Sequence, residues 1–347
     1  MEITPEQFLA GCKPRFGTAN PEQIHNTVWE WMARTNANPW WVRDDFGLEQ
    51  HYQELSDDRR WIATPDWCFK RNGMSKTAML DGRVICIGGE HEDWYDPNFC
   101  IYNDVVVIRP KADEAWVTTD SGSVEIYGYP REVFRPTDFH SATLVEGDIF
   151  VIGRLGYGPA DDPKPVSTPI YALDTTTYRM RTVIASGPSP GMLFDHHAEY
   201  EPATISILVR GGFTYNASRQ PEKLPHHGVY RFHIQNNRWE LVREHETHSR
   251  FEFNVVEPTP HNFIKAATQS FLPGTVPHRF LGVEDHGVDR YEISVLGVRV
   301  RFEDFYTNIR MLVEGELPES VLRTLLDEIR AKLEQTTKSR WECTPVP

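Results

Sequence analysis

Hydrophobic residues in the middle of the chain fall in short runs that end in glycine. Three such runs, RVICIGGE, DIFVIGRLG and SILVRGGF, occupy residues 83–90, 148–156 and 206–213. Each run is rich in β-branched residues and too short for a helix, so each predicts a buried strand. The glycine that closes each run permits a positive φ or a close approach of neighbouring backbone.

The runs recur in one register with two other landmarks. The first glycines lie 65 and 58 residues apart, and the second strands of the units are spaced by 65 and 59 residues. Such a recurrence indicates repeated structural units. The glycines are Gly88, Gly153 and Gly211, the second strands are aligned at Val105, Ile170 and Val229, and the landmarks before the runs are Ser75-Lys76-Thr77-Ala78, His140-Ser141-Ala142-Thr143 and His197-Ala198.

The order of these features resembles the kelch repeat: G-x-P, His-Ser-Ala, an apolar strand, Gly-Gly, a loop and V-Y-x-L-D. The resemblance covers about residues 74–243 and implies three consecutive four-stranded antiparallel blades of a β-propeller. It also implies that His140 and His197 form hydrogen bonds with backbone between blades. The first repeat has Ser75 in place of the histidine, and the second has Gly-Arg-Leu-Gly in place of Gly-Gly. Because propellers have about four to eight blades, the flanks must supply at least one more.

The N-terminal flank carries two helix-start signatures. Thr4-Pro5-Glu6-Gln7 and Asn20-Pro21-Glu22-Gln23 both read as capping boxes with proline at the first helical position. We therefore expect two helices, the second ending near Asn36.

The C-terminal flank alternates apolar and polar residues over 290–305, which predicts a hairpin, and a third strand and an amphipathic helix follow it. Residues 251–281 have weak periodicity and are interpreted as a connecting region.

The predicted fold class is therefore mainly β: a kelch-type β-propeller with N-terminal helices and a C-terminal β-β-β-α segment. Residues 1–65 form the helical segment that packs on or closes the propeller, and residues 66–250 form the blades. Residues 251–347 are either the last blade or a small α+β module.

Composition narrows the function classes. The net charge of −14 argues against general nucleic-acid binding, which requires cations to neutralise phosphates. No apolar window of about 18 residues predicts a membrane span. The five cysteines are scattered without a C-x-x-C pair, and the N-terminus does not resemble a signal peptide, so we expect a cytoplasmic protein without a cofactor.

The densest polar stretch combines carboxylates with two aromatic residues, a combination favoured where a partner is gripped. Loops on rigid scaffolds often carry binding sites, so this stretch predicts contact with a basic protein partner. The predicted partner-binding residues are Glu90, Glu92, Asp93, Trp94, Tyr95 and Asp96.

An alternative is a small-molecule enzyme with a His/carboxylate site at the mouth of the propeller channel. Histidine and carboxylate together suit iron, zinc or manganese, or general acid–base chemistry. No metal spacing, nucleophile elbow, phosphate-binding glycine loop or activated cysteine is evident in the sequence, so a non-enzymatic interaction scaffold is the leading interpretation. The residues that would gather at such a site are His91, His140, His196 and His197 with Glu90 and Glu92.

Overall fold

The computed structural model describes residues 3–48, 65–92, 98–109, 122–156, 167–215, 223–244, 248–256, 274–285, 289–304 and 308–346. The chain divides into two compact units, Met1–Glu244 and His245–Pro347. Antiparallel sheets dominate both units, so the predicted mainly β class is confirmed. Within the described ranges, no helix is long and apolar enough to cross a membrane.

The first unit opens with three short helices. The predicted capping box is present at the first of them: Thr4 accepts a hydrogen bond from the backbone N–H of Gln7, and the Gln7 side chain accepts one from the Thr4 N–H. The second helix ends at Thr35 with Asn36 as its C-cap, in agreement with the predicted end near Asn36. The third, which begins at Pro39 behind an Asn38 cap, was not predicted. The helices span Pro5–Gly11, Thr27–Thr35 and Pro39–Asp45.

The prediction that Asn20-Pro21 starts a helix is wrong. Glu22–Gln23 is a short strand, and the second helix starts after Asn26, whose side chain accepts hydrogen bonds from two backbone N–H groups. Asn20 is engaged elsewhere: its side chain bonds both the N–H and the carbonyl of Met180. The Asn20 side chain therefore bonds the distant Met180 backbone and does not cap a helix.

Three antiparallel sheets follow the helices. In the order of their pairing, the strands of the first sheet are Glu22–Gln23, Ser123–Gly128, Val105–Arg109, Val84–Ile87 and Ser75–Ala78. Those of the second sheet are Met180–Thr182, Ile170–Asp174, Asp148–Ile152 and Ser141–Val145. Those of the third sheet are His197–Glu201, Ser206–Arg210, Val229–His233 and Arg238–Arg243. A first ribbon pairs Glu90–His91 with Cys100–Ile101, and a second ribbon joins Leu193–Phe194, Phe213–Tyr215 and Lys223–Pro225. The predicted register holds, because Val105, Ile170 and Val229 pair with Ile87, Ile152 and Arg210, the residues just before the glycines.

The sheets of the first unit pack face to face in chain order. Alternate residues of each strand point to opposite faces, so each sheet serves two cores. Ile85 and Ile87 share a core with Ile149 and Val151 of the second sheet. On its other face, Cys86 of the first sheet packs with the N-terminal helices. The helices therefore cover the first sheet on the side away from the second.

The third sheet buries only one apolar face. Ile207 and Val209 pack toward the second sheet in a core with Phe150 and Ile152. The opposite face carries a network in which Arg231 contacts Glu201 and Glu240. The prediction that the third apolar run forms a buried strand is thus correct. The described residues do not form a closed propeller.

The second unit is a six-stranded antiparallel sheet with the helix Glu319–Thr337 packed on one face. The predicted hairpin, third strand and helix are all present. The interpretation of residues 251–281 as a connecting region is wrong at both ends, because His248–Val255 is an inner strand and Arg279–Asp285 an edge strand. The sheet order is Arg279–Asp285, Asp289–Val295, Val298–Asp304, Asn308–Glu314, His248–Val255 and Trp341–Val346.

Candidate functional site

The junctions between neighbouring sheets of the first unit are built on glycine. Gly88 and Gly153 have φ of 59° and 82°, which favours glycine. A Cβ added at Gly88 would lie 2.2 Å from the Thr137 carbonyl oxygen, and one at Gly153 would lie 2.2 Å from the Leu193 carbonyl oxygen. The repeated glycines are therefore required because the next sheet begins against them.

The residue after each glycine ties the two sheets together. The Gly89 N–H donates to the Thr137 carbonyl at 2.8 Å, and the Arg154 N–H donates to the Leu193 carbonyl at 2.9 Å. We call the contact between the first and second sheets the first junction, and that between the second and third sheets the second junction.

A histidine bridges the sheets at each junction. His140 Nε2 lies 2.8 Å from Ser75 Oγ, and His196 Nε2 lies 2.9 Å from Ser141 Oγ. Burial lowers the pKa of His140 to about 3, so the imidazole is neutral at physiological pH. Both histidines bond a serine side chain of the preceding sheet, where the kelch resemblance implied a backbone partner.

His197 does not occupy the equivalent position. Ser75, Ser141 and His197 pair with Ile87, Ile152 and Arg210, so these three residues share one register position. The His197 side chain is 28% exposed and lies 3.9 Å from Glu199. The alignment of Ser75 and His197 with His140 is therefore wrong by one residue. The adjacent His196 and His197 cannot be told apart by residue type, and the strand begins only at His197.

The first junction contains a buried pair of carboxyl groups. Asp138 is completely buried, and its Oδ1 accepts a hydrogen bond from the Gly156 N–H at 2.8 Å. Burial raises the pKa of Asp138, while interactions with Arg154 and the Glu90 carboxyl oppose that rise. Asp138 thus interacts with the Glu90 carboxyl and with the buried Arg154 guanidinium inside the first junction.

The second junction has apolar residues at the same two positions. Two residues after its glycine, Leu155 replaces Glu90, and one residue after the facing carbonyl, Phe194 replaces Asp138. Both are 3% exposed. The same backbone arrangement thus accepts either an acid pair or an apolar pair, and the acid pair is not a requirement of the fold.

The first ribbon carries the start of the acidic stretch. Glu90 pairs with Ile101 and His91 pairs with Cys100. Glu90 is 8% exposed and His91 is 5% exposed, so both side chains are buried. Glu92 follows with φ of 61°. Asp93, Trp94, Tyr95 and Asp96 lie outside the described residues. Two of the predicted partner-binding residues lie within the described ranges. Glu90 is buried in the first ribbon, and Glu92 is half-buried.

The structure also brings together residues that the sequence does not connect. His91 Nε2 lies 3.0 Å from Glu92 Oε1, and the same imidazole interacts with the thiol of Cys68. Burial opposes a positive charge on His91, but the interactions with Cys68 and Glu92 outweigh it and raise its pKa to about 9. Cys68 and His91 lie 23 residues apart with two strands of the first sheet between them, so no short motif would have revealed this interaction.

The predicted residues therefore separate into distinct sites. Glu90 joins Asp138 and Arg154, His91 joins Cys68, and His140 and His196 belong to two different bridges. Among the described residues, no group of three or more His, Cys, Asp or Glu side chains is placed to hold a metal ion.

The chain matches no protein-family model and no curated protein. Among solved structures it is similar to the one titled "Structure of YjhT", with a TM-score of 0.38 and 11% sequence identity, over 75% of this chain and 68% of that chain. A likeness of this size carries no functional argument.

Proposed function

We propose that the chain is a non-enzymatic interaction scaffold, that its first unit is of kelch type, and that it binds a basic protein partner through the segment that follows Glu90. The observation that supports this proposal is the contrast between the two junctions. The second junction is packed with the apolar residues Leu155 and Phe194, whereas the first junction has Glu90 and Asp138 at the same positions.

Burying carboxyl groups costs free energy that an apolar pair of similar volume would avoid. A locally unfavourable choice at one of two equivalent positions is expected where function demands it. The acidic character of the first junction is therefore attributed to recognition, and Glu90 comes just before, in the chain, the residues proposed to meet the partner.

The first ribbon supports the same proposal. Because Glu90–His91 is paired with Cys100–Ile101, the two ends of the segment between them are held together by a pair of strands. Anchoring lowers the conformational entropy that the segment loses when it binds. Within this segment, Asp93 and Asp96 supply charge, and Trp94 and Tyr95 supply apolar contact area.

The test uses an oligolysine peptide as the basic probe and surface plasmon resonance at several salt concentrations. The triple variant Glu92→Gln, Asp93→Asn, Asp96→Asn should slow association and flatten its salt dependence. Trp94→Ala should speed dissociation.

The matched control removes the same three charges from the second unit, by Glu319→Gln, Asp327→Asn and Glu342→Gln, whose carboxylates are all exposed. This variant should bind as the parent does. If both triple variants lose binding equally, the protein attracts the peptide only through its net charge, and the proposal is wrong.

A second candidate function is small-molecule chemistry at Glu90, Asp138 and Arg154. The observation that favours it is the raised pKa of the buried Asp138, because perturbed carboxyl groups often serve as acids or bases. Native mass spectrometry of the purified protein would detect a bound small molecule or metal ion. Loss of that ligand in Glu90→Gln, with oligolysine binding unchanged, would favour this candidate over the scaffold.

A further inference from the structure

Two tryptophans of the N-terminal helices have opposite environments. Trp29 of the second helix is 1% exposed and stacks on the buried Trp67, with ring centroids 5.1 Å apart and ring planes at 5°. Trp41 of the third helix is 64% exposed. Packing within the first unit therefore accounts for Trp29 and leaves most of Trp41 in contact with solvent. Tryptophan is enriched among the few residues that carry most of the binding energy of protein interfaces.

The third helix is fixed along its inner face. Val42 and Arg43 are buried, and the Arg43 guanidinium forms an ion pair with Asp66. The Asn38 side chain caps the first turn of the helix. Trp41 therefore projects from a rigid support, and little conformational entropy is lost when a partner covers its ring.

Two carboxylates lie on the same exposed face as the indole. Asp44 and Asp45 are exposed and come three and four positions after Trp41, a spacing that brings side chains together on a helix. Within the described part of the chain, neither carboxylate has a side-chain hydrogen bond or an ion pair. Arg43, the cation of the same turn, points inward to Asp66. The face formed by Trp41, Asp44 and Asp45 is therefore aromatic and acidic.

The position of these carboxylates is unfavourable for the helix itself. Asp44 and Asp45 are its last two residues, and the carbonyl groups at a helix C-terminus favour cations over anions. A locally unfavourable choice without a compensating contact is expected where function demands it. We therefore attribute the two carboxylates to recognition, as with the exposed ring beside them.

We propose that this face docks a basic segment of a protein partner, with an arginine side chain stacked on Trp41 and paired with Asp44 or Asp45. A planar guanidinium stacks on an aromatic ring and forms two parallel hydrogen bonds with a carboxylate. A lysine ammonium lacks the planar shape on which both contacts depend. The inference rests on the proposed function for the basic character of the partner, and it adds a second contact surface and a preference for arginine.

The experiment measures the affinity of fluorescein-labelled hexa-arginine and hexa-lysine for the full chain by fluorescence anisotropy at several salt concentrations. We expect the parent to bind hexa-arginine more tightly. Trp41→Ala should weaken hexa-arginine binding about two- to fivefold, the size of a cation–π contact at an exposed site, and should weaken hexa-lysine binding less. The double variant Asp44→Asn, Asp45→Asn should weaken the binding of both peptides, most strongly at low salt.

Two control variants match these changes. Phe16→Ala removes another exposed aromatic ring of the first unit, since Phe16 is 44% exposed. Glu319→Gln with Asp327→Asn removes two exposed charges from the second unit. Both controls should bind nearly as the parent does.

A stability measurement adds a second readout. The double variant of Asp44 and Asp45 should have a slightly higher melting temperature than the parent, because an unfavourable interaction with the helix C-terminus is removed. A lower melting temperature would show that the carboxylates stabilise the fold, and their assignment to recognition would fail.

The proposal is overturned if Trp41→Ala binds hexa-arginine as tightly as the parent, or if Phe16→Ala weakens binding equally. It is also overturned if size-exclusion chromatography shows a parent dimer that Trp41→Ala dissociates, because a second copy of the chain would then cover the face. The triple variant Glu92→Gln, Asp93→Asn, Asp96→Asn is measured alongside. If it binds hexa-arginine as the parent does while Trp41→Ala does not, the segment after Glu90 fails as the binding site and the third helix stands.

Discussion

The two junctions of the first unit have the same backbone and different chemistry. Both place a glycine against a carbonyl of the next sheet and both bridge the sheets with a histidine and a serine. Beside these shared features, the first junction has the buried acids Glu90 and Asp138 where the second has the apolar residues Leu155 and Phe194. The comparison separates what the repeat needs in order to pack from what one copy of it adds.

The largest effect is expected at the shared glycines. Gly88→Ala and Gly153→Ala should each lower the free energy of unfolding by about 3 kcal/mol or more, because the new methyl group would overlap a backbone carbonyl. Urea unfolding measures this loss. Gly82→Ala is the matched control, since Gly82 also has a positive φ but an added Cβ would meet nothing within 4 Å. Equal losses at all three positions would show that φ, and not the junction, requires glycine.

The second effect is a loss of stability on acidification, which comes from His140 at the first junction. The folded pKa of His140 is about 3 and the unfolded one is about 6.5, so on acidification the unfolded chain binds the proton first. Stability is therefore lost as the pH falls from 6.5 toward 3, by at most about 1.4 kcal/mol per pH unit from this group. His140→Gln, which keeps a polar group near Ser75, should flatten melting temperature against pH in this window. An unchanged slope would show that His140 is solvated.

The third effect concerns the acid pair alone. Because the folded pKa of Asp138 lies above its unfolded value of about 3.8, the unfolded chain releases its proton first as the pH rises. The parent should lose stability above pH 4 relative to Asp138→Asn, so the difference between their melting temperatures should grow between pH 4 and pH 8. Glu146→Gln changes an exposed carboxylate of the same sheet and should show no such trend. A constant difference for Asp138→Asn would contradict the raised pKa of Asp138.

The smallest effect tests the register of the bridges. His140→Ala and His196→Ala should each cost about 1 kcal/mol, a few degrees in melting temperature, through the loss of one buried hydrogen bond. His197→Ala, one residue away on the exposed face, should cost much less. If His197→Ala costs as much as His196→Ala, the assignment of the bridge to His196 fails.

Much of the first unit could be predicted from local signals. Short β-branched runs and the glycines after them indicated the strands, and the alignment of Val105, Ile170 and Val229 was correct to the residue. The capping box at Thr4 could also be predicted, because its two hydrogen bonds join residues that are three apart in the sequence. Signals of this kind act between near neighbours in the chain, so no knowledge of the packed structure is needed to recognise them.

The errors arise where a distant partner outweighs a local preference. Asn20 has the sequence context of a helix cap, but the backbone of Met180 occupies its side chain. His196 and His197 are indistinguishable by residue type, and only the pairing of the third sheet decides which one faces Ser141. A fourth stacked sheet was expected from the ring that propellers form, whereas the third sheet presents the ion pairs of Arg231 on its outer face.

The strands of the three repeats, the glycines that close them and the acidic character of residues 90–96 could be inferred from the sequence alone, since these follow from side-chain shape, backbone freedom and charge. Which side chains contact each other depends on the tertiary structure. Glu90 and Asp138 interact across the first junction, and Cys68 interacts with His91, although strands of the first sheet separate the members of each pair along the chain. Contacts of this kind depend on how the sheets stack, and stacking is set by the sum of many buried apolar contacts that no short motif encodes.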